Sequence, residues 1–133
     1  MPTAEIHIAV IDDETGIRKA LSRLLRSAGY QITTFGSATE FLASISNSSH
    51  FHCLLLDMQM PGLSGLELHT QLVRSALNIP IIYLTGHADI PTSIKAMQLG
   101  ASDFLMKPTD EHVLLGAIDQ AIGQDRRAKS AIQ

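Results

Sequence analysis

Apolar and polar positions along this chain switch repeatedly between two periods. Strand-like runs at about Ile6 to Asp12, Tyr30 to Phe35, Phe51 to Asp57, Ile79 to Thr85 and Ala101 to Met106 are each followed by a helical stretch. Behind the first run, Ile17, Ala20, Leu21, Leu24, Leu25 and Ala28 share one helical face, and Gly29 supplies the stop. Ser37 and Glu40 form a capping-box pattern with Phe41, Leu42 and Ile45 buried behind it, and Asn47 to His50 reads as a polar loop. Met58 to Gly65 is a loop leading into a helix at about Ser64 to Ala76 that carries Leu66, Leu68, Leu72 and Val73. Pro91 suits the first turn of the next helix and Gly100 its end. Thr109 can cap a last helix with Val113, Leu114, Ala117, Ile118, Ala121 and Ile122 facing inward. The pattern stops after about Gly123, and Gln124 to Gln133, with Arg126, Arg127 and Lys129, reads as a polar linker.

This alternation predicts an α/β doubly wound fold around a five-stranded parallel sheet with right-handed crossovers. The third strand is apolar on both faces over its second half, which suits a central position under helices on both sides. In the flavodoxin-like order 2-1-3-4-5, ligands bind beyond the carboxyl ends of strands one and three, where the order reverses.

Length and composition narrow the classes. A chain of 133 residues with 45% apolar and 17% charged residues makes one globular domain with a real core. A net charge of −3 gives no general nucleic-acid affinity. Cys53 is the only cysteine, so no internal disulfide forms, and it reads as a small buried core residue. No apolar run reaches the ~20 residues of a membrane span and no signal-peptide pattern opens the chain, so a cytoplasmic location with no membrane partner is the default expectation.

The candidate chemistry sits at the strand ends. The runs end in Asp12-Asp13, in Asp57, in Thr85 and in Lys107-Pro108. One sheet edge would gather three carboxylates, a hydroxyl and an ammonium. Crowded carboxylates repel one another, and a hard divalent cation relieves this while leaving room for a phosphoryl group. Asp57 stands alone at the end of the central strand and is the candidate nucleophile, since a carboxylate can form an aspartyl-phosphate. Asp12 and Asp13 are then the metal-holding pair, while Thr85 and Lys107 hold phosphoryl oxygens. Taken singly, each has a plainer reading: Asp13 and Thr85 as helix caps, Asp57 as a turn residue, Lys107 as a solvated lysine. Their coincidence at one edge favours the functional reading.

These residues resemble the receiver domain of two-component response regulators. The resemblance rests on Val10-Ile11-Asp12-Asp13-Glu14, on Leu56 through Gly65 (Leu-Asp-Met-Gln-Met-Pro-Gly-Leu-Ser-Gly), on Leu84-Thr85-Gly86-His87 and on Phe104-Leu105-Met106-Lys107-Pro108. It covers about Glu5 to Gly123 and implies a CheY-like fold. It also implies Mg²⁺ (or Mn²⁺) held by Asp13, Asp57 and the backbone carbonyl of Gln59, with Asp12 acting through water. Asp57 would be the phosphoacceptor, served by a sensor histidine kinase and by Thr85 and Lys107. The domain would assist its own phosphorylation and dephosphorylation without being an enzyme that turns over an external substrate. Phe104 matches the aromatic switch position, Gln59 and His87 match positions that tune phosphate lifetime, and Lys107-Pro108 matches a cis bond. The face of the fourth helix, fifth strand and fifth helix would change on phosphorylation, with homodimerisation as the family expectation.

Leu84 through Pro91 looks most like the FixJ-like subfamily, in which a LuxR-type helix-turn-helix domain usually follows. On that resemblance residues 1–123 are the receiver, 124–133 begin a linker, and DNA is contacted only by a domain absent from this chain. Three rivals make different demands. A haloacid-dehalogenase-type phosphatase wants a second acid where Gln59 stands. A flavodoxin-like nucleotide binder wants a phosphate loop where Asp12-Asp13-Glu14 stand. A constitutive interaction module would leave the phosphate site unused.

Overall fold

A computed structural model of the chain describes residues 5–45, 50–86 and 89–132. The elements alternate as β1 (His7–Ile11), α1 (Thr15–Ser27), β2 (Gln31–Phe35), α2 (Ala38–Ser44), β3 (Cys53–Leu56), α3 (Gly65–Arg74), β4 (Ile81–Thr85), α4 (Ile90–Gln98), β5 (Asp103–Met106) and α5 (Glu111–Ile132). All strand pairs are parallel, and the order is β2-β1-β3-β4-β5. The expected fold and strand order are therefore present.

The two faces of the sheet bury separate cores, as the two-residue period of a strand requires. Ile8, Val10, Cys53, Leu55 and Ile82 pack with Leu25 of α1 and with Leu114, Ile118 and Ile122 of α5. Ala9, Ile11, Leu54, Leu56 and Tyr83 pack on the other side with Phe41 of α2, Leu68 and Leu72 of α3 and Ala96 of α4. β1, β3 and β4 are buried on both faces apart from the half-buried His7, the mark of a parallel sheet covered by helices. Cys53 is fully buried, and burial pushes its thiol up to about 12, so it is an inert core residue.

Helix ends follow local chemistry. Ser64 and Glu67 form a reciprocal capping box on α3. Asp89 caps α4 through the Thr92 N–H, with Pro91 in the first turn. Gly100 adopts φ +102° just past α4, a conformation open to glycine without strain.

Several expectations need correction. Ser37 caps α2 by accepting from the Glu40 N–H, but the Glu40 carboxylate reaches the N–H of Gly36 and not that of Ser37. Thr109 does not cap α5: its hydroxyl donates to the Met106 carbonyl, and Asp110 accepts from the His112 N–H instead. Ala20 and Val113 are exposed, not inward. Residues 124–132 continue α5 as helix, with a Lys129–Asp125 pair of 2.8 Å at helical spacing. Apart from His50, the loop expected at Asn47 to His50 lies outside the described residues. Among the described residues, no helix is long and apolar enough to cross a membrane.

Candidate functional site

Sheet hydrogen bonding continues one residue past three strand ends and fixes the side chains that matter. The Asp12 N–H donates to the Phe35 carbonyl, the Asp57 N–H to the Ile11 carbonyl and the Lys107 N–H to the Thr85 carbonyl. Ile11 pairs with Leu56, so Asp12 and Asp57 leave adjacent strands at the same level. Leu56 pairs with Tyr83, which sets Thr85 one residue beyond the level of Asp57. The Lys107-Pro108 bond is cis.

Asp12, Asp13 and Asp57 each offer an oxygen, and these three atoms lie within 4.8 Å of one another. Asp12 and Asp57 are buried, whereas Asp13 is exposed. Lys107 Nζ stands 2.6 Å from Asp12 Oδ2 and 3.7 Å from Asp57 Oδ1. It is therefore held by Asp12 and placed beside Asp57. Burial opposes the ammonium, but its bond to Asp12 and the charges of Asp12, Asp57 and Glu14 prevail and raise its pKa.

The carboxyl of Asp57 is pushed up to about 6, first by burial and then by the charge of Asp12. Lys107 and a hydrogen bond from the Gln59 backbone N–H pull the other way, and Asp13 adds a further upward push. A carboxyl uneasy as an anion gains most from a divalent cation, so this hard oxygen set fits Mg²⁺ or Mn²⁺. With a divalent ion bound, the three carboxylates and one ammonium would sum to a formally neutral pocket.

The structure brings Asp12, Asp13, Asp57 and Lys107 together and puts Thr85, buried, at the end of the neighbouring strand. Phe104 is half-buried on β5, stacked on Tyr83 with ring centroids 5.7 Å apart. Gln59 is exposed, with its backbone turned to Asp57. His87 lies outside the described residues.

Sequence reading assigned no role to two supporting residues. Arg18 donates from one guanidinium nitrogen to the Asp12 carbonyl at 2.7 Å and from the other to the Thr15 hydroxyl at 3.1 Å. Gly65 opens α3 so close to the loop that follows Asp57 that a Cβ there would clash with the Asp57 carbonyl oxygen. Nothing in the local pattern marks Arg18. Gly65 was visible as a motif glycine, but its reason is tertiary.

The sequence profile of the response regulator receiver domain matches residues 8–119. Nodulation protein W of Bradyrhizobium diazoefficiens is 44% identical over 124 residues, covering 93% of this chain and 54% of that protein. The transcriptional regulatory protein FixJ of the same organism is 43% identical over 122 residues, covering 92% of this chain and 59% of that protein. The crystal structure of FixJ-N superposes with a TM-score of 0.82 at 36% identity, covering 90% of this chain and 94% of that one. The chain thus spans a little over half the length of these two curated relatives.

Proposed function

Because the chain belongs to the response regulator receiver domain family, with FixJ-like regulators among its relatives, we propose that Asp57 accepts a phosphoryl group from a sensor histidine kinase. The observation that supports this most is the cluster of Asp12, Asp13 and Asp57 with Lys107 laid across it. In the transfer, an Asp57 carboxylate oxygen forms a bond to phosphorus while the phosphorus–nitrogen bond of the donor breaks. The electron pair leaves with the imidazole nitrogen. Asp13, Asp57 and the Gln59 carbonyl would hold Mg²⁺ (or Mn²⁺), with Asp12 acting through water, and the ion supplies charge neutralisation for the phosphoryl oxygens. Lys107 receives one of those oxygens and the Thr85 hydroxyl another. Water attack on the acyl phosphate later restores the carboxylate, at a rate tuned by Gln59 and His87. The domain is a phosphoacceptor that assists its own chemistry.

The output is a change of the face built from α4, β5 and α5. A near-complete switch needs a bias of about 5.5 kcal/mol. One Thr85 hydrogen bond to a charged group offers about 1.5–3 kcal/mol, and full burial of Phe104 a similar ~1.5–3 kcal/mol, so the two act together. Thr85→Ala should therefore leave Asp57 phosphorylatable but blunt the burial of Phe104. Intact mass checks the first outcome and the solvent exposure of Phe104 the second.

The FixJ likeness supports a cytoplasmic transcription regulator that pairs as a homodimer on phosphorylation, with residues 124–133 leading to a separate domain that alone contacts DNA. The primary test is intact mass after incubation with acetyl phosphate and Mg²⁺. A single phosphoryl adduct on the parent chain, lost in Asp57→Asn and with EDTA, is expected. A folded parent chain that stays unmodified with both acetyl phosphate and a histidine kinase donor overturns the reading in favour of a constitutive interaction module.

A further inference from the structure

Two buried polar side chains on the α3 side of the sheet take no part in the phosphoryl chemistry. His69 of α3 is 4% exposed and Tyr83 of β4 is fully buried. His69 Nδ1 and the Tyr83 hydroxyl are hydrogen-bonded at 2.8 Å, and their rings meet at 5.7 Å. Burial holds the His69 pKa below its usual value, so the bond joins two neutral groups. A hydrocarbon pair would fill the same volume without orienting either ring. A hydrogen-bonded pair fixes the direction of the Tyr83 ring.

That direction matters because of what lies on the other side of the ring. Tyr83 is the β4 residue in register with Phe104 of β5, and the two rings stack at 5.7 Å with planes 30° apart. Tyr83 also stands two residues before Thr85, on the same face of β4. Phe104 is half-buried in this arrangement, and the Tyr83 ring is the surface on which it rests. His69, Tyr83 and Phe104 therefore form a contact chain from α3 to the switch position, level with the strand that carries Thr85.

We propose that His69 is a positioning residue for the switch: by holding the Tyr83 hydroxyl, it fixes the ring on which Phe104 stacks and keeps Phe104 in its half-exposed orientation. The phosphoacceptor reading supplies the trigger that overcomes this hold. The hold itself belongs to the unphosphorylated chain.

The test uses the full chain with 4-fluorophenylalanine incorporated and ¹⁹F NMR, the Phe104 signal being assigned among four phenylalanines with Phe104→Leu. The shift between H₂O and D₂O reports the exposure of each ring. Without phosphoryl donor, Tyr83→Phe and His69→Leu should each raise the buried-to-exposed ratio of Phe104 about five-fold, the equivalent of one neutral hydrogen bond. The double variant should raise it by that same factor and not by the product, since both substitutions remove one shared bond. The cost of leaving a buried partner unpaired falls on both orientations of Phe104 and cancels from the ratio. A pair that is merely structural would lower the melting temperature without moving the ratio. An unmoved or reduced ratio in the folded Tyr83→Phe chain, or shifts that multiply in the double variant, would overturn the proposal. Intact mass of the same samples after acetyl phosphate and Mg²⁺ reads Asp57 separately. A ratio that moves in a chain taking no phosphoryl group supports the hold and overturns only the phosphoacceptor reading.

Discussion

Gly65 abuts the Asp57 carbonyl so closely that only a hydrogen fits, and the atom it would strike is backbone that cannot rotate away. Gly65→Ala should therefore cost about 1–3 kcal/mol in urea unfolding, as overpacking does. On the proposed phosphoacceptor role of Asp57, it should also slow phosphorylation by acetyl phosphate, because the loop that follows Asp57 must shift. Lys107 gives a second residue-level test. Its charge is the largest influence holding the Asp57 carboxyl down against burial and Asp12. In metal-free Lys107→Ala, Asp57 should titrate above about 6, and ¹³C NMR of the carboxyl across a pH series reads this directly. A value at or below that of the parent chain would mean that Lys107 does not reach Asp57 in solution.

At the scale of elements, α3 does more than cover the sheet. Its first residue, Gly65, braces the Asp57 loop, and one turn later His69 meets Tyr83. The helix is anchored at that end by the Ser64–Glu67 capping box. Ser64→Ala should destabilise the chain by about 0.5–2 kcal/mol in urea unfolding. Because α3 starts directly on the loop that follows Asp57, the same variant should raise hydrogen exchange at Met58 to Gly65 more than at β1. The capping signal was legible in Ser64 and Glu67 because it depends on residues three apart. The extension of α5 to Ile132 was not, because residues 124–130, polar apart from Ala128, carry no apolar stripe. Helix is carried past the core there by propagation and local pairs such as Lys129–Asp125.

At the scale of the whole molecule, acid acts in two opposed senses. His7, His52 and His69 are held below their ordinary 6.5, burial being the first cause in each. The unfolded chain takes those protons first, so their contribution is intact above pH 6.5 and drains as pH falls below it. Asp57 runs the other way: it rises from 3.8 to about 6, so the folded chain takes this proton first and gains stability as pH falls through that window. In the metal-free protein, Asp57→Asn should be more stable than the parent at pH 7, by on the order of 3 kcal/mol or less. That advantage should vanish towards pH 4, while the histidines impose a common decline on both chains. Urea unfolding across the pH range checks it. A constant difference between the two chains would show that burial does not penalise the Asp57 carboxylate.

Local periodicity determined the order and kind of the elements, and with them which residues close each strand: Asp12 and Asp13, Asp57, Thr85 and Lys107. Those signals span a few residues, and strands buried on both faces leave an apolar run that composition alone displays. Tertiary structure decided what those ends do to one another. Lys107 lies 95 positions from Asp12, and only the sheet order and the ladder bonds past the strand ends make it bind Asp12 while standing beside Asp57. The approach of Gly65 to Asp57 and the His69–Tyr83–Phe104 chain likewise depend on how separate helices and strands pack. Pattern along a chain encodes period and burial. Distances between residues far apart in sequence are set only when the layers close on one another.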